Sequence, residues 1–516
     1  MRAGAVFALI AVVVVASRLC HSSVLWADDN LPLAAAMEVA RGKALYRDVW
    51  FDKPPLVAWM CLLWGARAGV WLRLAGAAYA MAVALAAWQF ARVRWSEREG
   101  LFAACLAAFF LTFGLPSAVI PLASDMLLVV PHLVAVYFAW RGRALMSGVA
   151  AGIGLLCSSK AVFVLAACAL WQWRQLPLLV TGFAAPQAVA LGWMWLHGSA
   201  GEYYRQAWQW GSIYAANTFV QHPVMEGVTR TLNWLGFQAA LAVGTIVALA
   251  RDRQRRDGAW IAISLAGVVV GLRFFPRYYF LLLPVMTIGA ARGWAVISRN
   301  RAAMAALALL LAVPLVRFAP RYVTVARGGT WSDLSIDRDS RAAAAKLRAL
   351  AQSGDSLFVW GFRPDMFIDS GLPAGTRFLE SQPVSGVLAD RHLFSSDAIA
   401  PGFTAPNRRE LLTTRPTWVV DGLGPYNPAL ALPRQAQLAP WFAQYTEVAR
   451  TEFSIIYRIN RTTNQPTPAA SNPQAGLWRH TAGTRLTANQ SPAIRAAWVA
   501  AAPVRYVTGN PAKFNP

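Results

Sequence analysis

Long apolar runs recur from residue 4 to about residue 319 and then stop. A membrane-spanning helix needs about 20 such residues, within a range of ~17–25. Candidate stretches cover 4–20, 71–91, 100–118, 125–140, 176–196, 232–250, 259–273, 278–297 and 302–319. The segment 144–173 is too long for one untilted helix, and basic residues stand at both of its ends, "RGR" (141–143) and "WRQ" (173–175). It reads as two short helices turning near Ser159 and Lys160. The expectation is an α-helical multi-pass membrane protein with about eleven spans. The amino terminus would lie on the cytoplasmic side and everything after residue 319 on the far side.

Composition supports lipid as the solvent for this part. Only 14% of the 516 residues are charged, against about a quarter in soluble domains. A net charge of +23 would ordinarily raise the question of nucleic acid. Here the arginines cluster in short loops, as in "ARVRWSER" (91–98) and "RDRQRR" (251–256), which is the signature of cytoplasmic loops. No nucleic-acid partner is expected. Residues 1–22 have the outline of a secretory signal, but Arg18 and Leu19 occupy positions where cleavage needs small residues. A retained first span is the better reading.

The five cysteines, at 20, 61, 105, 157 and 168, all fall in the apolar part, where they read as small hydrophobic residues. The six histidines form no metal-binding spacing, and neither a P-loop nor a Rossmann glycine pattern is present. Neither a metal nor a cofactor is expected.

Beyond residue 319 the pattern changes. Residues 336–355 form an amphipathic helix, and "SLFVWG" (356–361), "TWVVDG" (417–422) and "FSIIYRI" (453–459) read as strands. A small α/β domain over 320–460 follows. Residues 461–516 are rich in Pro, Thr, Asn, Gln and Ala and contain no acid, which predicts disorder.

Two loops on the far side are long enough to carry function. Residues 197–231 contain Tyr203, Tyr204, Trp208, Trp210 and Tyr214, which read as an interfacial aromatic belt. Residues 21–70 mix acids and bases. Within them, 31–42 looks helical and closes at Gly42, while 56–66 suits a helix lying along the membrane surface. At the start stands "ADDN" (27–30). Either acid could cap the following helix, with Pro32 in its first turn.

The wider stretch "ADDNLPLAAAMEVARGKALYRDVWFDKPPL" (27–56) resembles the GT-C glycosyltransferases of membranes. The resemblance is to the branch of protein O-mannosyltransferases and lipid A aminoarabinose transferases. Its pattern is an acidic pair, a helix, a glycine, Tyr-x-Asp and Lys-Pro-Pro-Leu, matched by Asp28–Asp29, Gly42, "YRD" (46–48) and "KPPL" (53–56). The second acid is commonly Glu, whereas here it is Asp29. "ASDMLL" (123–128), "CSSK" (157–160), "RFFPRYYFLLLP" (273–284) and "FVWGFRPDM" (358–366) resemble further parts of the family, so that the likeness runs to about residue 460.

The resemblance implies inverting transfer of a sugar from a polyprenyl-phosphate donor to a lipid, glycan or protein acceptor, at the outer face of the inner (plasma) membrane. The leaving phosphate needs no proton, so one carboxylate suffices as general base. That role falls to Asp28, with Asp29 left as a helix cap beside the substrate site. Lys53, Arg273 and Arg277 are the candidate phosphate-binding cations. Asp48, Asp125, Lys160 and Tyr278 complete the expected substrate-binding set. A transporter or flippase of lipid-linked sugars, or a non-catalytic envelope assembly protein, would share many of these features. A transporter would ordinarily show internal repeats with polar residues at mid-membrane, and no clear repeat is present.

Overall fold

The computed structural model describes residues 3–460; the tail expected to be disordered, 461–516, lies outside the described residues. The longer helices are α1 (Ala3–Leu19), α2 (Ala27–Ala40), α3 (Val70–Arg94), α4 (Glu97–Phe113), α5 (Val129–Trp140), α6 (Ala144–Leu155) and α7 (Ala161–Gln172). They continue as α8 (Leu176–Leu196), α9 (Pro223–Phe237), α10 (Ala239–Asp252), α11 (Arg255–Val269), α12 (Leu283–Ile297), α13 (Arg301–Ala326) and α14 (Ser335–Leu350). Val70–Arg94 and Arg301–Ala326 are each long and apolar enough to cross a membrane; Ala161–Leu196 passes by length and composition, but the chain turns back within it. The pair α9 and α10 passes the same test jointly but bends by 90° at its break. Ala3–Leu19, Ser124–Trp140, Ala144–Leu155 and Leu283–Ile297 are shorter apolar helices.

The segment 144–173 forms two short helices with a turn at 156–160. Close packing then fixes the direction of the next one. The Gly148 Cα faces the backbone of Leu179 and Phe183, and Gly152, one turn on, faces Phe183 and Pro186. Contacts that advance together mean that α6 and α8 run parallel, so α7 must run back between them. The chain therefore reverses again at the 3₁₀ turn Trp173–Gln175. Glycine is required at this contact, because a Cβ on Gly182 would sit 2.2 Å from the Leu145 carbonyl oxygen.

The carboxy-terminal part is a four-stranded sheet backed by α14. Strands β1 (Leu357–Trp360), β2 (Trp418–Asp421), β3 (Tyr445–Arg450) and β4 (Ile455–Ile459) lie in the order β1-β2-β4-β3. β1 and β2 pair in parallel, with Phe358 opposite Val419; the other pairs are antiparallel. β1 and β2 are buried along their whole length, which explains their nearly unbroken apolar sequence. β3 escaped the sequence reading because it is an edge strand, bulged between Glu447 and Ala449, whose middle residues Thr446, Glu447 and Val448 are exposed.

This domain is bonded directly to the first long loop. Asp337 accepts a hydrogen bond from the Leu25 amide (2.8 Å), Asp365 from Asn30 Nδ2 (2.9 Å), and the Arg377 carbonyl from the Trp50 amide (2.7 Å). The aromatics read as an interfacial belt are placed differently. Trp210 is fully buried against Trp50 and Phe403, and Tyr203 is buried against Tyr46. They fill the junction between helices and sheet domain; of the five, only Tyr204 is exposed.

Gly182→Ala is expected to cost about 1–3 kcal/mol through overpacking. Gly192→Ala, on the same helix with open space at its Cβ, should be neutral or slightly stabilising. Thermal unfolding of the two variants in detergent distinguishes them.

Candidate active site

The first long loop is held in shape by a few bonds. α2 ends at Gly42, whose φ of +93° suits a residue without a Cβ, with the Lys43 amide donating to the Glu38 carbonyl. Tyr46 adopts a left-handed φ of 70°. That conformation is held by its carbonyl, which accepts from Gln206 (2.8 Å) and Arg377 (2.6 Å), and by its hydroxyl, which donates to the Lys53 carbonyl (2.7 Å). After the two prolines, the Leu56 amide donates to the Leu156 carbonyl (3.0 Å). Those last bonds bring Lys53 to the turn that carries Lys160.

A cavity with about 300 Å³ of open space lies where these segments meet. Asp28, Lys53, Asp125, Lys160, Arg273, Arg277 and Tyr278 all line it. Arg277 bridges two acids, with Nη1 at 2.6 Å from Asp28 and Nε at 3.7 Å from Asp125. Lys160 Nζ lies 2.9 Å from the other Asp125 oxygen and 3.0 Å from the Tyr278 ring centroid. Burial pushes the Lys160 ammonium down to about 8, against the opposing pull of Asp125. For Arg277 burial acts in the same direction, but Asp28 and Asp125 outweigh it and hold the guanidinium charged more firmly than usual. Lys53, which also lines the cavity, pairs with Asp52 (2.7 Å).

Four elements thus deliver four cavity-facing cations and acids to one space: α2 with Asp28, the 123–125 segment with Asp125, the turn at 156–160 with Lys160, and the 3₁₀ turn Pro276–Leu281 with Arg277. The sheet domain closes one side with Phe362, Gln382 and Asp390. The arrangement can bind an anion through exchangeable cations and can accept a proton at the Asp28 carboxylate beside it. Among the described residues, no group of three or more His, Cys, Asp or Glu could hold a metal ion.

No family model matches the chain, and no curated protein matches it in sequence. Its three-dimensional structure does have counterparts. The crystal structure of ArnT from Cupriavidus metallidurans bound to undecaprenyl phosphate is similar with a TM-score of 0.58 at 16% identity, over 90% of this chain and 100% of that one. The apo state of the same protein gives 0.58 at 16%, over 89% and 98%. The chain shares the overall fold of these two ArnT structures. The zinc- and sulfate-bound oligosaccharyltransferase of Archaeoglobus fulgidus is more distant, at 0.48 and 12% identity over 86% and 71% of the chains.

Within this fold, some of the expected site residues have other surroundings. Asp29 does not cap α2. The helix begins at Ala27 after Trp26, without a side-chain cap, so that Pro32 falls in its second turn. Asp29 points into the protein, where it accepts from Arg73 Nη2 (3.0 Å) and the Leu122 amide (2.7 Å), both partners being buried. Asp48 does not reach the cavity. It closes the turn before it, accepting from the Ala44 amide (2.8 Å) and pairing with the exposed Arg47. Arg273 lines the cavity, but its guanidinium is already engaged there: it is ion-paired to Asp390, donates to the Tyr214 carbonyl (2.6 Å) and stacks on the Tyr214 ring. Sequence reasoning missed Asp52 and treated Trp208, Trp210 and Tyr214, which also line the cavity, as a belt. The signal available for Asp52 was its place beside Lys53 in "FDKPP".

Arg73→Met leaves Asp29 as an unpaired buried charge and is expected to cost about 3–5 kcal/mol. Adding Asp29→Asn should restore much of that loss. Thermal melts of the single and double variants in detergent check the coupling.

Proposed function

We propose that this chain is an integral-membrane glycosyltransferase that moves a sugar from a polyprenyl-phosphate donor to an acceptor hydroxyl, with inversion. Its site would open on the extracytoplasmic face of the plasma membrane, beneath the sheet domain. The topology is about eleven spans with the amino terminus cytoplasmic. The acceptor is a lipid, glycan or protein. The observation that carries the reading is Asp28, held at the cavity wall by Arg277 with Lys160 one acid further on. The undecaprenyl phosphate in the similar ArnT structure supports a lipid-phosphate donor.

In this mechanism the donor phosphate enters between Lys53, Lys160 and Arg277. Arg277 exchanges its bond to Asp28 for a phosphate oxygen, and the freed carboxylate turns to the acceptor. The acceptor oxygen forms a bond to the anomeric carbon while the carbon–oxygen bond to phosphate breaks on the opposite side. The hydroxyl proton passes to Asp28, and the electron pair leaves on the polyprenyl phosphate, where the cations stabilise it. Asp125 keeps Lys160 and Arg277 in position between turnovers. Asp29, held by Arg73 and Leu122, keeps the helix of Asp28 against the segment of Asp125.

Asp28→Asn is expected to lower transfer by about 10²–10⁴-fold with an unchanged thermal melt; wild-type turnover by that variant sinks the base assignment. Lys53→Ala should raise the donor KM more than it lowers kcat. Because the ammonium of Lys160 is lost above about 8, donor use should fall as pH rises through that value. Lys160→Arg should remove the fall, since its guanidinium stays charged. Turnover of a polyprenyl-phosphate sugar measured across pH tests both claims.

A further inference from the structure

A second charged region lies at the opposite end of the bundle. α3 carries Arg73, the partner of Asp29, near its start and Arg94 at its end. At ~1.5 Å per residue these ends are about 30 Å apart, the thickness of a bilayer core. At the Arg94 end a shallow cleft of about 360 Å³ is lined by Trp140, Trp171, Gln254, Arg255 and Arg256.

Both indoles are anchored from behind, Trp140 against Phe90 and Trp171 edge-on to the buried Trp260. Gln254 accepts from Arg94. Arg255 and Arg256 are exposed, and the acids next to them in sequence are taken: Asp257 by Arg94 (2.9 Å) and Asp252 by Arg292 (3.0 Å). The two arginines also occupy the first turn of α11, where the helix dipole disfavours cations. Two uncompensated guanidiniums between two fixed indoles, at the depth where apolar helices end, call for an anion with an apolar body attached.

We propose that this cleft binds the headgroup of an anionic phospholipid, its phosphate on Arg255 and Arg256 and its glycerol backbone against Trp140 and Trp171. Indoles favour that boundary, and basic side chains draw anionic headgroups to it. The proposal goes beyond the glycosyl-transfer reading and does not depend on it.

The test is native mass spectrometry of the full chain in detergent, titrated with phosphatidylglycerol or phosphatidylcholine. Wild type is expected to hold one phosphatidylglycerol roughly thirtyfold tighter than phosphatidylcholine. Arg255→Gln with Arg256→Gln should abolish that preference, whereas Arg141→Gln with Arg143→Gln, in a neighbouring basic loop, should retain it. Equal affinity for the two lipids, an unchanged preference in the first double variant, or an equal loss in the second overturns the site. Melts without lipid verify folding; if the first double variant melts early, Arg256→Gln alone is used, with about a fivefold loss expected.

Discussion

The buried contact of Asp29 with Arg73 and the Leu122 amide is the joint on which the candidate site depends. It is one side chain with three attachments. Through its own backbone it belongs to α2, one residue from Asp28; through Arg73 it holds α3; through Leu122 it holds the segment leading to Asp125. Arg73 extends the joint by donating to the carbonyls of His21 and Val24, which fixes the turn between α1 and α2. A buried ion pair is a weak source of net stability, because desolvation offsets the attraction. Its effect here is geometric. Other placements of these three segments would leave a charge or an amide unpaired away from water.

The cavity itself is organised by alternation of sign. Asp28, Arg277, Asp125 and Lys160 form a chain in which each charge has an opposite neighbour. Such a chain is stable without ligand yet poised for exchange, since an incoming phosphate can replace a carboxylate on a cation without creating a bare charge. The Lys53–Asp52 pair repeats the device in the same cavity. The proposed transfer uses both, with Asp28 as the carboxylate that exchange sets free. Burial is also what makes Lys160 sensitive to pH, as its ammonium loses hydration that Asp125 only partly replaces.

The residues that proved legible are those whose chemistry is tied to a local pattern. Gly42 ends a helix because its backbone must turn left-handed, and any reader of helix ends finds it. The turn at 156–160 was visible because arginines flank a run too long for one span. Asp29, by contrast, stands at a helix start, where sequence alone points to a cap. Its real partners lie 44 and 93 residues away. Asp48 fitted a family pattern yet closes a turn, and Trp210 looked like a membrane-surface residue but is buried under the sheet domain.

The sequence by itself determined the partition between an apolar helical part and a small α/β domain, the places where helices stop, and the candidate residues of the first long loop. Those follow from hydrophobic run length, loop charge and backbone preference, all of which act over a few residues. Only the tertiary structure decided which candidates share a cavity, which are committed to other partners, and that Asp28 faces Arg277, 249 residues away. The physical reason is that ion pairs and buried hydrogen bonds are satisfied by whichever group arrives within about 3 Å. Arrival is set by the packing of helices, not by distance along the chain.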